Sequence, residues 1–543
     1  MIDLKEVEKS LNILEKDPSN TSANYILSCY LASNNKLSQV YPFISKVLEK
    51  KPQLKGAKYI LAKYYEEHEK KFIQAIQFYK EELEEHPDSL PTIASLGKAL
   101  AHIGEIEEAI NLHKQYLKYD SSNKLAWDIL LMHSHYNPKC SSEELLDYAK
   151  QYSKQLSKSM NQKNNFEHLN LSLVKPRLKV GFVSGDLRQH SILFFVHGLF
   201  SELNKHCDVY CYCNNQHDQM TELLKKEVLN WRDIITLSDI EAVNLIKKDQ
   251  IDILIDLSGN TGKNRLDIFS HKPCPVQASW LGQSGPMGLA EMDYMICTEY
   301  LVNKDEDQFY LEKPFRLPDI YSTFSTPLDD VAILQPPCLE NNYISFGCLN
   351  NFMKINNETL STWVEILKQV PDSKLFLKSK FFSDLDFTRK IQGFFEEKGI
   401  NKERLILEDK DSKKLQYIKN YNRIDIALDS FPVGGGTTTH DLLWMGVPLI
   451  AINGDSFSHR VSASLLNTLG LEELIAQDKS EYIKKAVELA NDYKKIEDYK
   501  NRIRDLYLKS PICDKTTFAK KFTNALSQMW SETITNMNKK NEI

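Results

Sequence analysis

IDIALDSFPVGGGTTTHDLLWMGVPLIAI, residues 424–452, carries the fold in one line. An apolar run ends at Phe431, and three glycines (434–436) and three threonines (437–439) follow. A helix is expected to start near His440-Asp441, and a second apolar run, VPLIAI, comes after it. Strand, glycine turn, helix and strand make one unit of a parallel α/β sheet. Glycines let backbone N–H groups approach an anion with no Cβ in the way. Threonine hydroxyls add donors, and a helix N-terminus adds positive potential. Gly435, Gly436, Thr437 and Thr438 therefore read as a diphosphate cradle. The Lys-Ser/Thr of a Walker loop is absent, which argues against an ATPase. Asp441, in the first helical turn, either caps the helix or accepts ribose hydroxyls. The same residues also read as a plain αβ turn with a threonine cap, so the rest of the chain has to decide.

Outward from this segment the texture repeats. From Arg177 short apolar strands alternate with amphipathic helices: LKVGFVSG, then ILFFVHGLFSEL, DVYCYC, DIEAVNLIKK and IDILIDLSG. The pattern restarts at YISFGCLNN and runs through KLFLKS and LILE to the segment above. Two doubly wound lobes are expected, 177–335 and 336–543, with ligands at the carboxyl ends of the strands, in the cleft between the lobes. Three more candidates fall on strand-end loops. Lys354, in CLNNFMKI, could counter the charge of a departing phosphate or be an ordinary surface lysine, and Asn350 and Asn351 beside it are equally open. His190, in SGDLRQHS, is placed for acid–base or orienting work, or for capping the helix that follows. WLGQSGPMG (280–288) is a further glycine-rich loop. DLD at 384–386 reads as a solvated helix start rather than a metal motif, and Cys211 and Cys213 as strand core.

The front of the chain is periodic. DPSN (17–20), KPQL (51–54), HPDS (86–89) and DSSN (120–123) place Pro18, Pro52, Pro87 and Ser121 at intervals of 34, 35 and 34 residues. Small and large residues recur between the marks: Leu61-Ala62 with Tyr65, Ala75 and Tyr79, then Leu96-Gly97 with Ala109, then Trp127 with Leu130. That is the period of tetratricopeptide repeats, so 1–157 is expected to be an α-helical solenoid whose concave surface suits a polypeptide. The first repeat is degenerate, with Asn24 and Ser28 at interior positions. The polar stretch 158–176 is expected to be a linker.

Composition bounds the function. The 543 residues suggest about three domains. With 68 basic against 74 acidic residues there is no basic excess of the kind nucleic-acid binding needs. The ten cysteines form no CxxC pair, and the N-terminus lacks the apolar segment of a leader. No run of about 18 apolar residues occurs, so no membrane span is expected, and the setting expected is cytoplasmic.

Taken together, RLKVGFVSGDLRQHS, IDLSGNTGKNRLDIFSHKPCPVQASWLGQSGPMG, FGCLNNFMKI and LDSFPVGGGTTTHDLLWMGVPLIAINGDSFSHRVSASLL resemble the O-linked N-acetylglucosamine transferase family in its bacterial form, with a repeat array in front. The resemblance implies a GT-B fold of two Rossmann-like lobes. It implies inverting transfer of N-acetylglucosamine from UDP-GlcNAc, a substrate rather than a cofactor, to Ser/Thr hydroxyls of a polypeptide such as a flagellin or surface protein, with no metal. His190 matches the family's active-site histidine, and Lys354 its lysine on the diphosphate. Asn351 stands where the family has a glutamine, and Gly436, Thr437 and Thr438 stand on its His-Thr-Thr. Asp441 falls on its ribose-contacting aspartate. Two departures matter: Gly436 and Tyr417 each replace a histidine, and Tyr417 is expected to stack on uracil. UDP-glucose as donor, an asparagine acceptor, or a non-catalytic scaffold with a decayed transferase region are the alternatives.

Overall fold

The computed structural model describes residues 3–157, 166, 169–282, 284–326, 331–411 and 413–541. Of the expected linker, 158–165, 167 and 168 lie outside the described residues. Among the described residues, the helices α1 (Leu4–Lys16), α2 (Thr21–Ser33), α3 (Tyr41–Lys50), α4 (Ala57–Lys63), α5 (Phe72–Glu85), α6 (Leu90–His102), α7 (Ile106–Tyr119), α8 (Lys124–Ser134) and α9 (Ser142–Ser157) come first. Each of the four punctuation marks is a turn between helices, before α2, α4, α6 and α8. By its contacts the chain divides into two compact units, 1–126 with 351–411, and 127–350 with 412–543.

In the first unit, α1 to α7 stack as antiparallel neighbours through small and aromatic residues. Ala57, Ala62, Ala75, Tyr79 and Ala109 are buried. The polar residues of the degenerate repeat are buried too, and their donors are satisfied locally. The Asn24 amide donates to Asn20 O at 2.8 Å and Pro18 O at 3.2 Å, and Ser28 Oγ donates to Asn24 O at 2.8 Å. Residues 351–411 pack on this array. Phe381 meets Phe72 edge-on at 4.7 Å, and Lys390 pairs with Glu105 at 2.7 Å. The DLD segment is a helix start, as expected. Asp384 caps the helix Leu385–Glu396, and its Oδ2 also accepts from the Ile73 amide at the start of α5, at 3.0 Å.

The second unit holds the first lobe entire. Strands β1 (Lys179–Ser184), β2 (Asp208–Cys213), β3 (Asn230–Asp233), β4 (Ile253–Asp256), β5 (Val276–Ser279), β6 (Tyr294–Thr298) and β7 (Lys313–Leu317) form one parallel sheet in the order β3-β2-β1-β4-β5-β6-β7. The order reverses between β1 and β4, which opens a crevice at their carboxyl ends. ILFFVHGLFSEL is two helices, Ser191–Val196 and Leu199–Leu203, broken at His197-Gly198. Phe518, Phe522, Leu526, Met529 and Trp530 of the C-terminal helix Lys515–Asn541 are buried in this lobe's core. Each such side chain contributes roughly 1.5–3 kcal/mol.

Among the described residues the second lobe has six strands. β8 (Ser345–Cys348), β11 (Ile426–Leu428), β12 (Leu449–Ile452) and β13 (Ile475–Ala476) pair in parallel in that order within the second unit. β9 (Lys374–Lys378) and β10 (Leu405–Glu408) pair in the first unit. Among the described residues no helix is long and apolar enough to cross a membrane.

Candidate active site

The turn after β11 is a closed hydrogen-bonded frame. Asp429, just past the strand, accepts at Oδ1 from the Gly435 amide at 3.0 Å and from Asn350 Nδ2 at 3.1 Å. Asn350, just past β8, also donates to Ser430 Oγ at 2.9 Å and accepts from Thr438 Oγ1 at 2.5 Å. Ser462 Oγ donates to Gly435 O at 3.1 Å. The side chains of Asp429, Asn350, Thr438 and Ser462 thus hold the loop, and its backbone is what faces outward. A Cβ on Gly435 would lie 2.2 Å from Thr439 Oγ1 and 2.6 Å from Thr438 Oγ1, whereas one on Gly436 would meet nothing within 4 Å. The helix begins at Thr437, three residues earlier than expected, and Gly436 brings no side chain to its first-turn amides. The Gly436–Thr438 backbone is therefore an open anion seat.

Asp441 is buried one turn further on. Its Oδ2 pairs with Lys414, and its Oδ1 accepts no hydrogen bond among the described residues. Burial pushes its carboxyl above the ordinary range, and the Lys414 ammonium pulls it back. Lys414 also sits over the rings of Phe194 at 5.1 Å and Tyr417 at 5.5 Å. Tyr417 is in the same cluster, its hydroxyl donating to Leu349 O at 2.9 Å. Tyr421 reaches from one turn on to Thr438 O at 3.2 Å. The Tyr417 ring is buried against Tyr421, so its edge-on partner is a tyrosine.

His190 caps the helix Ser191–Val196, its Nδ1 accepting the Ile192 amide at 3.4 Å, with Asp186 Oδ1 3.8 Å away. The loop backbone is fixed by side chains: the Gln189 amide donates to Asp218 Oδ2 at 2.8 Å and the Gly185 amide to Ser258 Oγ at 3.1 Å. Burial lowers the imidazole pKa; Asp186 opposes this and Arg188 adds to it. With Nδ1 accepting, the ring proton is assigned to Nε2, so the half-exposed ring presents a donor. The next turn of this helix reaches the 437–444 helix. Phe195 packs edge-on to His440 at 5.6 Å, and Phe324 stacks on the same imidazole at 4.1 Å. Burial drops His440 to about 3, which leaves it a neutral packing group.

Asn351 and Lys354 belong to the first unit. Asn351 caps the short turn Phe352–Lys354 by accepting the Met353 amide at 3.3 Å. That turn leads into Ile355, whose carbonyl lies against Gly104 in the α6–α7 turn, where φ is +86° and an added Cβ would lie 2.3 Å from it. Sequence reasoning missed Lys414, Asp429 and Ser462. The one available signal was Lys414-x-x-Tyr417, which puts both on one helix face.

The model of glycosyl transferase family 41 matches residues 149–324 and 332–522. A probable UDP-N-acetylglucosamine–peptide N-acetylglucosaminyltransferase, SPINDLY, of Hordeum vulgare is 30% identical over 420 residues, 76% of this chain and 44% of that protein. The corresponding SEC protein of Arabidopsis thaliana is 28% identical over 368 residues, 65% of this chain and 37% of that one. The chain spans less than half the length of these curated relatives. Among solved structures, a lysine-to-methionine mutant of Thermobaculum terrenum O-GlcNAc transferase is similar with a TM-score of 0.81 at 26% identity, covering 95% of this chain and 99% of that chain. Helical repeats followed by a GT-B pair of α/β lobes, the fold expected from the sequence, is thus the fold found. With more than half of its length matched by the family model, this chain belongs to glycosyl transferase family 41.

Proposed function

We propose that this chain is a protein glycosyltransferase that moves N-acetylglucosamine from UDP-GlcNAc to Ser/Thr hydroxyls of a polypeptide. The observation that carries the reading is the 429–441 frame, which spends its side chains on itself and leaves glycine backbone and a helix N-terminus for an anion. Asp441 Oδ1 beside it is an acceptor in want of a hydroxyl, and a ribose would supply one. The family relatives are named for the same donor and for peptide acceptors.

In this reading the acceptor oxygen attacks C1 of the sugar from the face opposite the diphosphate and inverts that carbon. The C1–O bond to phosphate breaks, UDP leaves with the electron pair, and the hydroxyl proton is lost to water. The Gly435–Thr438 amides and Lys354 stabilise the charge that grows on the diphosphate, and this step calls for no metal. Asn351 contributes beside Lys354, and Tyr417 lines the nucleoside end through its ring. His190, with Nδ1 engaged by the Ile192 amide, donates from Nε2 and orients the acceptor. The helical array, taken as 1–157 with a linker at 158–176 and lobes at 177–335 and 336–543, holds the acceptor polypeptide, a flagellin or surface protein in a cytoplasmic setting.

The test is intact-mass spectrometry of candidate acceptors incubated with the enzyme and a panel of UDP- and GDP-activated sugars. One N-acetylhexosamine added from UDP-GlcNAc, and lost in Lys354→Met, is the expected result. A hexose from UDP-glucose moves the donor assignment, and UDP binding without transfer to any acceptor favours a scaffold.

A further inference from the structure

Cys213, His217 and Asp233 form a cluster that the transfer reaction does not use. Cys213 ends β2 and Asp233 ends β3, and the parallel register sets them side by side. The loop after β2 then brings His217 back to both: one ligand atom from each of the three residues lies within 4.8 Å of the other two. The imidazole is held from two sides, Nε2 at 2.6 Å from Asp233 Oδ1 and Nδ1 at 3.1 Å from Glu222 Oε1. Trp231 Nε1 donates to the same Asp233 oxygen at 3.0 Å. Cys213 is fully buried, and its thiol donates to Asn215 Oδ1 at 3.2 Å. Cys213 is core, as strand alternation reads it, and ligand-type side chains also lie beside it.

We propose that Cys213, His217 and Asp233 bind one divalent transition-metal ion of the zinc class, with Glu222 orienting His217 from outside the coordination sphere. A thiolate, an imidazole and a carboxylate together select zinc-like ions over magnesium or calcium, which take oxygen ligands. Three protein ligands leave a fourth tetrahedral position for water. A carboxylate on the second ring nitrogen is the usual support of a metal-bound histidine, and Glu222 supplies it. On binding, the ion replaces the Cys213 thiol proton, which goes to solvent, and His217 ligates through Nε2 as the tautomer whose Nδ1–H donates to Glu222.

The site is tied to the His190 loop by the residue that follows His217. Asp218 accepts the Gln189 amide at 2.8 Å, and Thr221 Oγ1 donates to Leu187 O at 2.9 Å. An ion that fixes His217 therefore stiffens 187–190. Ion binding stands whatever reaction the enzyme performs; only the consequence for activity rests on the proposed transfer.

The experiment titrates the chelator-treated full-length chain with Co2+ and then with Zn2+. A sulfur-to-cobalt charge-transfer band that saturates at one ion per chain and disappears on adding Zn2+ is expected. The band should be lost in Cys213→Ser, and binding should weaken roughly 10-fold or more in Glu222→Gln. His217→Ala, at a part-exposed position, should lose the ion while keeping the fold, which covers the case of a poorly folding Cys213→Ser. Absence of the band in the parent protein, or its persistence in both ligand variants, overturns the site. Amide exchange at 187–190 should slow with Zn2+ bound; unchanged exchange overturns the bracing.

Discussion

Two loops of the second unit leave the carboxyl ends of central strands beside the point where the strand order reverses, the one after β1 that carries His190 and the one after β11 that carries Gly434–Thr438. They are built in opposite ways. In the first, side chains of neighbouring segments (Asp218, Ser258) satisfy the backbone, and one side chain is left to project. In the second, the loop's own neighbours lock its side chains together, and the backbone is left to project. The difference teaches which atoms carry function. Shape is the function in the second loop, so added volume at its crowded Gly435 should register in folding and binding together. In the first, removing the projecting side chain should register in turnover, with little lost in folding and nothing in UDP binding.

The largest effect tests the second loop. Gly435→Ala drives a methyl group into Thr438 and Thr439, where contacts of 2.6 and 2.2 Å have to open. Overpacking of this kind costs about 1–3 kcal/mol. A frame displaced by an ångström should weaken UDP binding by roughly 10²-fold. Thermal unfolding and calorimetric titration with UDP on the same sample check both. A variant that binds UDP normally would remove the frame from the site.

His190→Ala tests the first loop. Turnover should fall by roughly 10²-fold or more, with UDP affinity unchanged and only about 1 kcal/mol of stability lost with the helix cap. The pH profile sharpens the point. Burial, reinforced by Arg188 and opposed by Asp186, keeps the folded His190 pKa below the ordinary value. Its contribution to stability is therefore present above about pH 6.5 and lost as pH falls toward the folded value. Protonation at Nδ1 would expel the Ile192 amide and release the ring, so the acid limb of kcat should likewise lie below the ordinary histidine range. In Arg188→Gln that limb should move up, because one of the two lowering influences is gone. A limb that stays put would mean that another group sets it.

Lys414→Ala should be milder. Asp441 is buried, but Lys414 is about a third exposed and its pairing partly screened, so a loss of about 1–2 kcal/mol is expected near pH 7.5. Removing the ammonium lets burial raise the Asp441 pKa further. A raised acid pKa in the fold penalises stability fully above that pKa, and the penalty fades as pH falls through it. Melting curves of parent and variant should thus converge on acidification; divergence would refute the pairing.

Much of this was legible in the sequence because it depends on spacing. The repeat marks at 34-residue steps fell on inter-helix turns, and the strand–glycine–helix order of 424–452 gave the second-lobe unit directly. The helix start was misjudged by three residues because Gly436 caps it with backbone alone, which no side-chain pattern reveals. Lys414, Asp429 and Ser462 were illegible for a different reason. Their roles arise from contacts across strand and helix ends, such as Asp429 with Asn350 and Lys414 with Asp441 and Phe194, and nothing in a lysine, aspartate or serine marks it for such a contact. Cys211 and Cys213 are core, as their alternation predicts, yet alternation reports which face a residue takes and says nothing of what the next strand brings beside it.

The smallest effect probes the gap beside that crowded glycine. Gly436 is adjacent to Gly435, yet an added Cβ there meets nothing within 4 Å, and the resemblance puts a histidine at this position. Gly436→His should therefore fold with less than about 1 kcal/mol change, well below the loss for Gly435→Ala. An imidazole over the anion seat adds a donor that the present loop lacks, so the change should appear in donor KM, by a few-fold, rather than in melting temperature. A destabilisation as large as that of Gly435→Ala would show that the space is filled in solution. The contrast between a backbone-only loop and a side-chain loop would then have to be redrawn at this residue.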